Sequence, residues 1–204
     1  MPDDISGKTP ARKPSGGAGR RRGPTVATPE TLERAAYAYL ARYAAPAGHL
    51  RRILLARVAR SARFHGTDPA AGAVAVEAIV ARLSDQGLLD DSAYALAMAR
   101  RLFRRGTSRH AIRARLRAKG VEARDADAAL AALQQDAADP DLAAGLAFAR
   151  RKRLGPFRPE AEREARRERD LALFARQGFS LDLARRVVDA RDLEDLEAEA
   201  GGVD

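Results

Sequence analysis

The sequence predicts an all-α protein of tandem three-helix repeats forming an elongated, curved array. Three observations carry that expectation. Alanine, leucine and arginine dominate the body of the chain, proline is sparse there, and no run alternates apolar with polar β-branched residues as a half-buried strand would. Glycines and helix-starting Asp, Ser and Thr residues divide the body into short stretches of helical period. Those stretches also repeat. At an offset of 50, Val76, Ile79, Val80 and Leu83 fall on Ala126, Ala129, Leu130 and Leu133, and "AMARR" at 97–101 falls on "AFARR" at 147–151. At 58, Leu116, Gly120 and Val121 meet Phe174, Gly178 and Phe179; at 62, Leu50 and Leu54 meet Ile112 and Leu116.

In chain order, residues 1–29 are rich in Gly, Pro, Ser and basic groups, with no apolar period, and are expected to be a disordered basic arm. The first repeat, 30–89, should hold helices at 30–44, 48–64 and 69–86. The second, 90–138, should hold 91–105, 108–119 and 123–135. The third, 139–191, should hold 140–153, 159–177 and 181–191. Asp90, Asp91, Thr107, Ser108, Asp139 and Ser180 suit N-caps, and Pro140 and Pro159 suit first-turn positions. Gly120 and Gly178 fall just past a helix, where a left-handed backbone costs a residue with a β-carbon. Extra residues lengthen the first repeat ("ARSARFHGTDPAAG") and the third ("PFRPEAERE"). Residues 192–204 hold six acidic and no basic groups, and are expected to be a fraying acidic tail.

Composition narrows the chemistry. The 204 residues carry a formal charge of +9 and no cysteine, which removes disulfides, thiolate metal sites and a cysteine nucleophile. No apolar h-region opens the sequence and no stretch nears the roughly 18 apolar residues of a membrane span, so a cytoplasmic place off the membrane is expected. His49, His65 and His110 stand apart, without partners at metal-ligand spacing. No phosphate loop or nucleophile motif is present. Neither enzymatic activity nor a cofactor or metal is expected, and the free protein is expected to be a monomer.

The basic clusters are the candidate site: Arg100, Arg101, Arg104 and Arg105; Arg113, Arg117 and Lys119; and Arg150, Arg151, Lys152 and Arg153. Arginines four apart on one helix face repel by a few tenths of a kcal/mol per pair, and no acid interleaves. They read as a DNA-backbone surface, as a docking face for another protein, or as helix ends favoured by the dipole. A base-reading helix-turn-helix is the least fitting choice. Its second helix would bring Glu122, Asp125 and Asp127 between two rows of phosphates. Tyr37, Tyr39 and Tyr43 form a helical stripe better suited to a core or to contacts between repeats than to base stacking.

Taken together, "QGLLDDSAYALAMARR", "IRARLRAKGV" and "ARQGFSLDLARRVV", in that order over residues 32–190, resemble the RecX regulatory protein family. The resemblance implies tandem three-helix repeats that bind the RecA recombinase, lie in the groove of its filament on single-stranded DNA, and modulate strand exchange, ATPase and coprotease activity, usually downward. The other reading is a helical module that contacts DNA backbone without RecA and without sequence specificity.

Overall fold

The computed structural model describes residues 23–201. Among them lie ten α-helices and no strand: α1 (Pro29–Leu40), α2 (Ala47–His65), α3 (Pro69–Asp85), α4 (Asp91–Arg104), α5 (Arg109–Lys119), α6 (Ala123–Ala132), α7 (Pro140–Lys152), α8 (Glu160–Arg176), α9 (Leu181–Val188) and α10 (Leu193–Ala200). Single 3-10 turns occupy Leu133–Gln135 and Gly155–Phe157. Helices pack closely within the sets α1 to α3, α4 to α6 and α7 to α10, and α4 on α7 joins the last two sets. This is a helical repeat array.

Local chemistry explains where the helices begin. Thr28 and Thr31 form a reciprocal capping box before α1; Asp68, Asp90, Ser108, Asp139 and Ser180 each accept a first-turn N–H of the helix that follows. Such a cap is worth about 1 kcal/mol. The ends are equally local. Gly120 and Gly178 are left-handed (φ 87° and 78°), and the N–H of Val121 and of Phe179 reaches back to Leu116 O and Phe174 O. That is a Schellman closure, with the apolar residue after the glycine folded back onto its own helix.

Three helices end earlier than expected, among them α6, which gives way to a 3-10 turn after Ala132. Helix α1 stops at Leu40 in a turn closed by the N–H groups of Arg42 and Tyr43 on Tyr39 O, and Pro46 precedes α2 with an extended backbone. Helix α9 stops at Val188, and the chain at Gly155 takes up a 3-10 turn before α8 begins at Glu160. Thr107 and Asp91 do not cap their own helices: Thr107 is buried, and Asp91 reaches another module.

Two cores form. Leu32, Ala36, Leu50, Leu54, Val58, Val76, Ile79, Val80, Leu83 and Leu89 fill the first repeat, with Gly72 letting α3 sit directly on Val58. A second, continuous core runs from Ala95 through Leu116, Leu130 and Phe148 to Val188, so the second and third repeats share their apolar interior. Phe148, Phe174 and Phe179 stack within it at centroid distances of 5.2 to 6.0 Å.

Both ends of the described chain are more ordered than the sequence suggests. Residues 1–22 of the expected arm and 202–204 of the expected tail lie outside the described residues. The stretch 23–28, however, is tied to α2: Ala27 N–H donates to Ser61 Oγ (3.0 Å), and His65 Nε2 lies 2.6 Å from Pro24 O. Residues 193–200 do not fray but form α10. Asp192 caps that helix, Leu193 and Leu196 pack on the second core, Ala200 is buried, and Arg150 and Arg186 pair with Glu197 and Glu199. Leucines three apart gave this acid-rich stretch an apolar edge to dock.

Candidate docking surface

The expected basic face divides in two. Arg100 is clamped by Asp136 through Nε (3.0 Å) and Nη2 (3.2 Å), Arg113 by Asp127 through Nε (2.9 Å) and Nη2 (2.7 Å), and Arg150 by Glu197. Arg150 also lies 5.4 Å from the Phe157 ring centre. The expectation of uncompensated charge is therefore corrected at these three positions. Their carboxylates lie far along the sequence and return only through folding.

The other eight cations stand exposed, and none has a carboxylate within ion-pair distance among the described residues. Arg101, Arg104 and Arg105 close α4; Arg117 and Lys119 close α5; Arg151, Lys152 and Arg153 close α7. Each group sits where a helix dipole favours positive charge. Arg151 also covers the Phe148 ring at 5.9 Å. Arg153 takes a left-handed backbone (φ 53°), a conformation that costs a non-glycine residue about 1–2 kcal/mol.

The frame beneath these groups depends on a joint that occurs twice, at the sequence offsets of the repeats. The first N–H of the second helix in one module donates to an aspartate in the first turn of the next: Ala47 to Asp91 Oδ1 (2.7 Å), then Arg109 to Asp141 Oδ1 (3.1 Å). The same helix start then meets the glycine turn of the following module. An added β-carbon at Gly48 would lie inside 3.0 Å of Gly120 O, and Ser108 Oγ donates to Gln177 O (2.7 Å) beside Gly178. Paired aspartates thus divide the work: Asp90 caps α4 while Asp91 caps α2, and Asp139 caps α7 while Asp141 caps α5. Burial raises the Asp91 carboxyl above its ordinary range, opposed by the Ala47 N–H and assisted by Asp125, Glu122 and Asp90. Sequence reasoning placed Asp91 at a helix N-terminus but missed whose. The offset of 50 between "DD" at 90–91 and "DPD" at 139–141 was the available signal.

Around the first joint, Arg52 Nη2 donates to Ala118 O (2.9 Å) at the end of α5 and to His49 Nδ1 (3.2 Å), while His49 Nε2 meets the Tyr39 hydroxyl (3.1 Å). Arg52 can only donate, so the ring is neutral with its proton on Nε2. Burial first, then Lys119 and Arg52, hold its pKa below the ordinary histidine value. Tyr39 thus belongs to the joint, whereas Tyr43 is 56% exposed and Tyr37 donates toward Gln86 Oε1 (3.4 Å). Within the stripe, Tyr39 also packs on the first core, and Tyr37 and Tyr43 are exposed.

The acids of α6 are used internally. Asp125 is buried and accepts from Ser92 Oγ (2.7 Å), and Asp127 holds Arg113. A helix whose N-terminal face is filled this way does not offer itself to base edges. Among the described residues no cluster of histidines and acids could hold a metal, and no helix is long and apolar enough to cross a membrane.

The class that fold and surface define is a helical repeat array with cations grouped at successive helix ends and reciprocal caps at its joints. The comparisons identify the family within that class. A family model for "RecX, second three-helix domain" matches residues 90–130. The regulatory protein RecX of Myxococcus xanthus is 44% identical over 168 residues, covering 82% of this chain and 89% of that protein. That of Agrobacterium fabrum is 35% identical over 114 residues, covering 55% of this chain and 59% of the relative. A crystal structure of regulatory protein RecX shares the fold, with a TM-score of 0.55 at 22% identity over 79% of this chain and 72% of that one. The chain belongs to the RecX family of regulatory proteins.

Proposed function

We propose that this protein is a non-enzymatic regulator that binds the RecA recombinase filament on single-stranded DNA and restrains its ATP hydrolysis, strand exchange and coprotease activity. It would act in the cytoplasm, in homologous recombination, DNA repair and the SOS response. Arg101, Arg104 and Arg105 on α4, Arg117 and Lys119 on α5, and Arg151 to Arg153 at the end of α7 make the contact; Arg100, Arg113 and Arg150 act mainly as braces. One observation supports this reading above the others. Eight cations stay exposed and without ion-pair partners among the described residues at successive helix ends of the second and third modules, which share one apolar core. A nucleoprotein filament is a periodic anionic track, and an array that engages it at several points gains by effective concentration what each contact lacks.

The test is charge reversal at Arg101 and Arg105, both exposed and outside the core. The double variant R101E/R105E is expected to keep its helical circular dichroism while its half-inhibitory concentration against RecA's DNA-dependent ATP hydrolysis rises at least tenfold, about 1.4 kcal/mol. Undiminished inhibition would remove these residues from the contact.

A further inference from the structure

The insertion in the third module builds a feature the second module lacks. Helix α5 begins at Arg109, whose counterpart at the offset of 58 is Arg167, yet α8 begins at Glu160. The seven residues 160–166 add two turns at the N-terminal end. They are firmly held. Asp170, only 1% exposed, accepts from Gly155 N–H (2.9 Å) and from Arg158 Nη2 (3.0 Å), while Arg163 donates through Nε to Arg158 O (3.1 Å) and through Nη2 to Pro156 O (2.9 Å).

Between this braced extension and the end of α7 runs an open groove of about 390 Å³, lined by Lys152, Leu154, Arg158, Arg166, Arg169 and Leu173. Four of the six lining residues are cations from three separate elements, and none is an acid. Arg158 is already engaged by Asp170 and by Glu162 (3.5 Å), but Lys152, Arg166 and Arg169 have no carboxylate partner among the described residues. Two acids of α8 face Arg167, Glu168 as an ion pair and Glu164 through its field, while Glu162 and Asp170 pair with the groove's own Arg158. Mutual repulsion across such a groove disfavours the free protein, and an anion relieves it.

We infer that this groove is a binding site for the sugar–phosphate backbone of single-stranded nucleic acid. The density of charge favours that occupant over an acidic peptide. Where this chain meets carboxylates in its own acidic helix it does so one to one, Arg150 with Glu197 and Arg186 with Glu199. The groove instead gathers four cations, three of them without an ion-pair partner among the described residues, around a shallow leucine floor at the end of α7. Closely spaced, evenly repeated charge is the pattern of a phosphodiester chain. The site requires no RecA, so it stands or falls separately from the proposed function.

The experiment is fluorescence anisotropy of the full chain with a labelled thymidine strand of about 20 nucleotides, without RecA, between about 50 and 200 mM salt. R166E/R169E reverses two exposed groove cations. R60E/R63E makes the same change in net charge on α2 and serves as control. Binding by R166E/R169E is expected to weaken at least tenfold, with the salt slope reduced by about 1.4 for two lost phosphate contacts; R60E/R63E should stay within about twofold. Circular dichroism confirms that both variants are folded. No binding by the unaltered chain at low salt, retention of affinity by R166E/R169E, or equal losses in the two variants would overturn the site. So would displacement of the strand by polyglutamate as readily as by polyphosphate, which would mark the groove as a protein-docking surface.

Discussion

The joint between the first and second modules and the joint between the second and third use the same polar clasp on very different apolar ground. In both, a helix start donates its N–H to an aspartate of the next module and presses on that module's glycine turn. At the second joint the cores are continuous, with Gly106 seated against the backbone of Phe148 and Ala144. At the first they are separate; Arg52 donates to Ala118 O across the joint, and His49 links Arg52 to Tyr39 on the first module's side of it. The comparison separates two tasks. The clasp sets register; buried apolar area sets stiffness. The second and third modules should then unfold together, with the first able to part from them.

The largest expected effect tests the stiff joint. At Gly106, with φ 66°, a β-carbon would fall inside 3.0 Å of Phe148 backbone, so Gly106→Ala combines left-handed strain with a clash. A loss of roughly 2–5 kcal/mol in global unfolding is expected, read by thermal or urea denaturation. Gly48→Ala brings the clash alone, against Gly120 O, and should cost about 1–3 kcal/mol. In native-state hydrogen exchange its loss of protection should be confined to α1 to α3. Equal loss in α7 and α9 would show that the two joints are equally stiff.

Smaller effects test the clasp. Asp91→Ala and Asp141→Ala should each cost about 1 kcal/mol, the usual value of a cap, although each removes the cap of a helix in the neighbouring module. Exchange at the amides of Ala47 and Arg109 reports each loss directly. Protection at Ala47 unchanged in the Asp91 variant would undo the reciprocal reading.

The smallest effect is one of pH and belongs to the first joint alone. His49 is neutral in the fold, and its pKa lies below the ordinary 6.5. Between that lowered value and 6.5 the unfolded chain binds more protons than the folded one, so stability falls as pH drops below about 6.5 and is fully present above it. Denaturation at pH 7.5 and 5.5 should show this component in the unaltered protein and a smaller one in H49Q.

The repeat was legible in the sequence because its signals are local. Capping residues, left-handed glycines and leucines at helical spacing each act within one turn of chain, and recur at offsets of 50, 58 and 62. What could not be read were pairings that fold brings together. Asp136 returns to Arg100 across 36 residues and Glu197 to Arg150 across 47, and exposed pairs worth about 0.2–1 kcal/mol leave no pattern in the chain. Folding therefore compensates Arg100, Arg113 and Arg150 within the candidate face. It leaves Arg166 and Arg169 without ion-pair partners among the described residues, which the alternating charge of "EAEREARRERD" hides until α8 turns its acids toward Arg158 and Arg167. Helix α10 was readable in retrospect, since Leu193, Leu196 and Ala200 sit at helical spacing within the acidic run.

The two added turns of α8 also answer a question of copy number. A fourth module could attach by the existing clasp only if the second helix of the third offered a free starting N–H at the equivalent of Ala47 and Arg109. That equivalent is Arg167, which lies seven residues inside α8, where its N–H is already spent within the helix. The insertion therefore withdraws from the third module the free starting N–H on which both observed clasps are built.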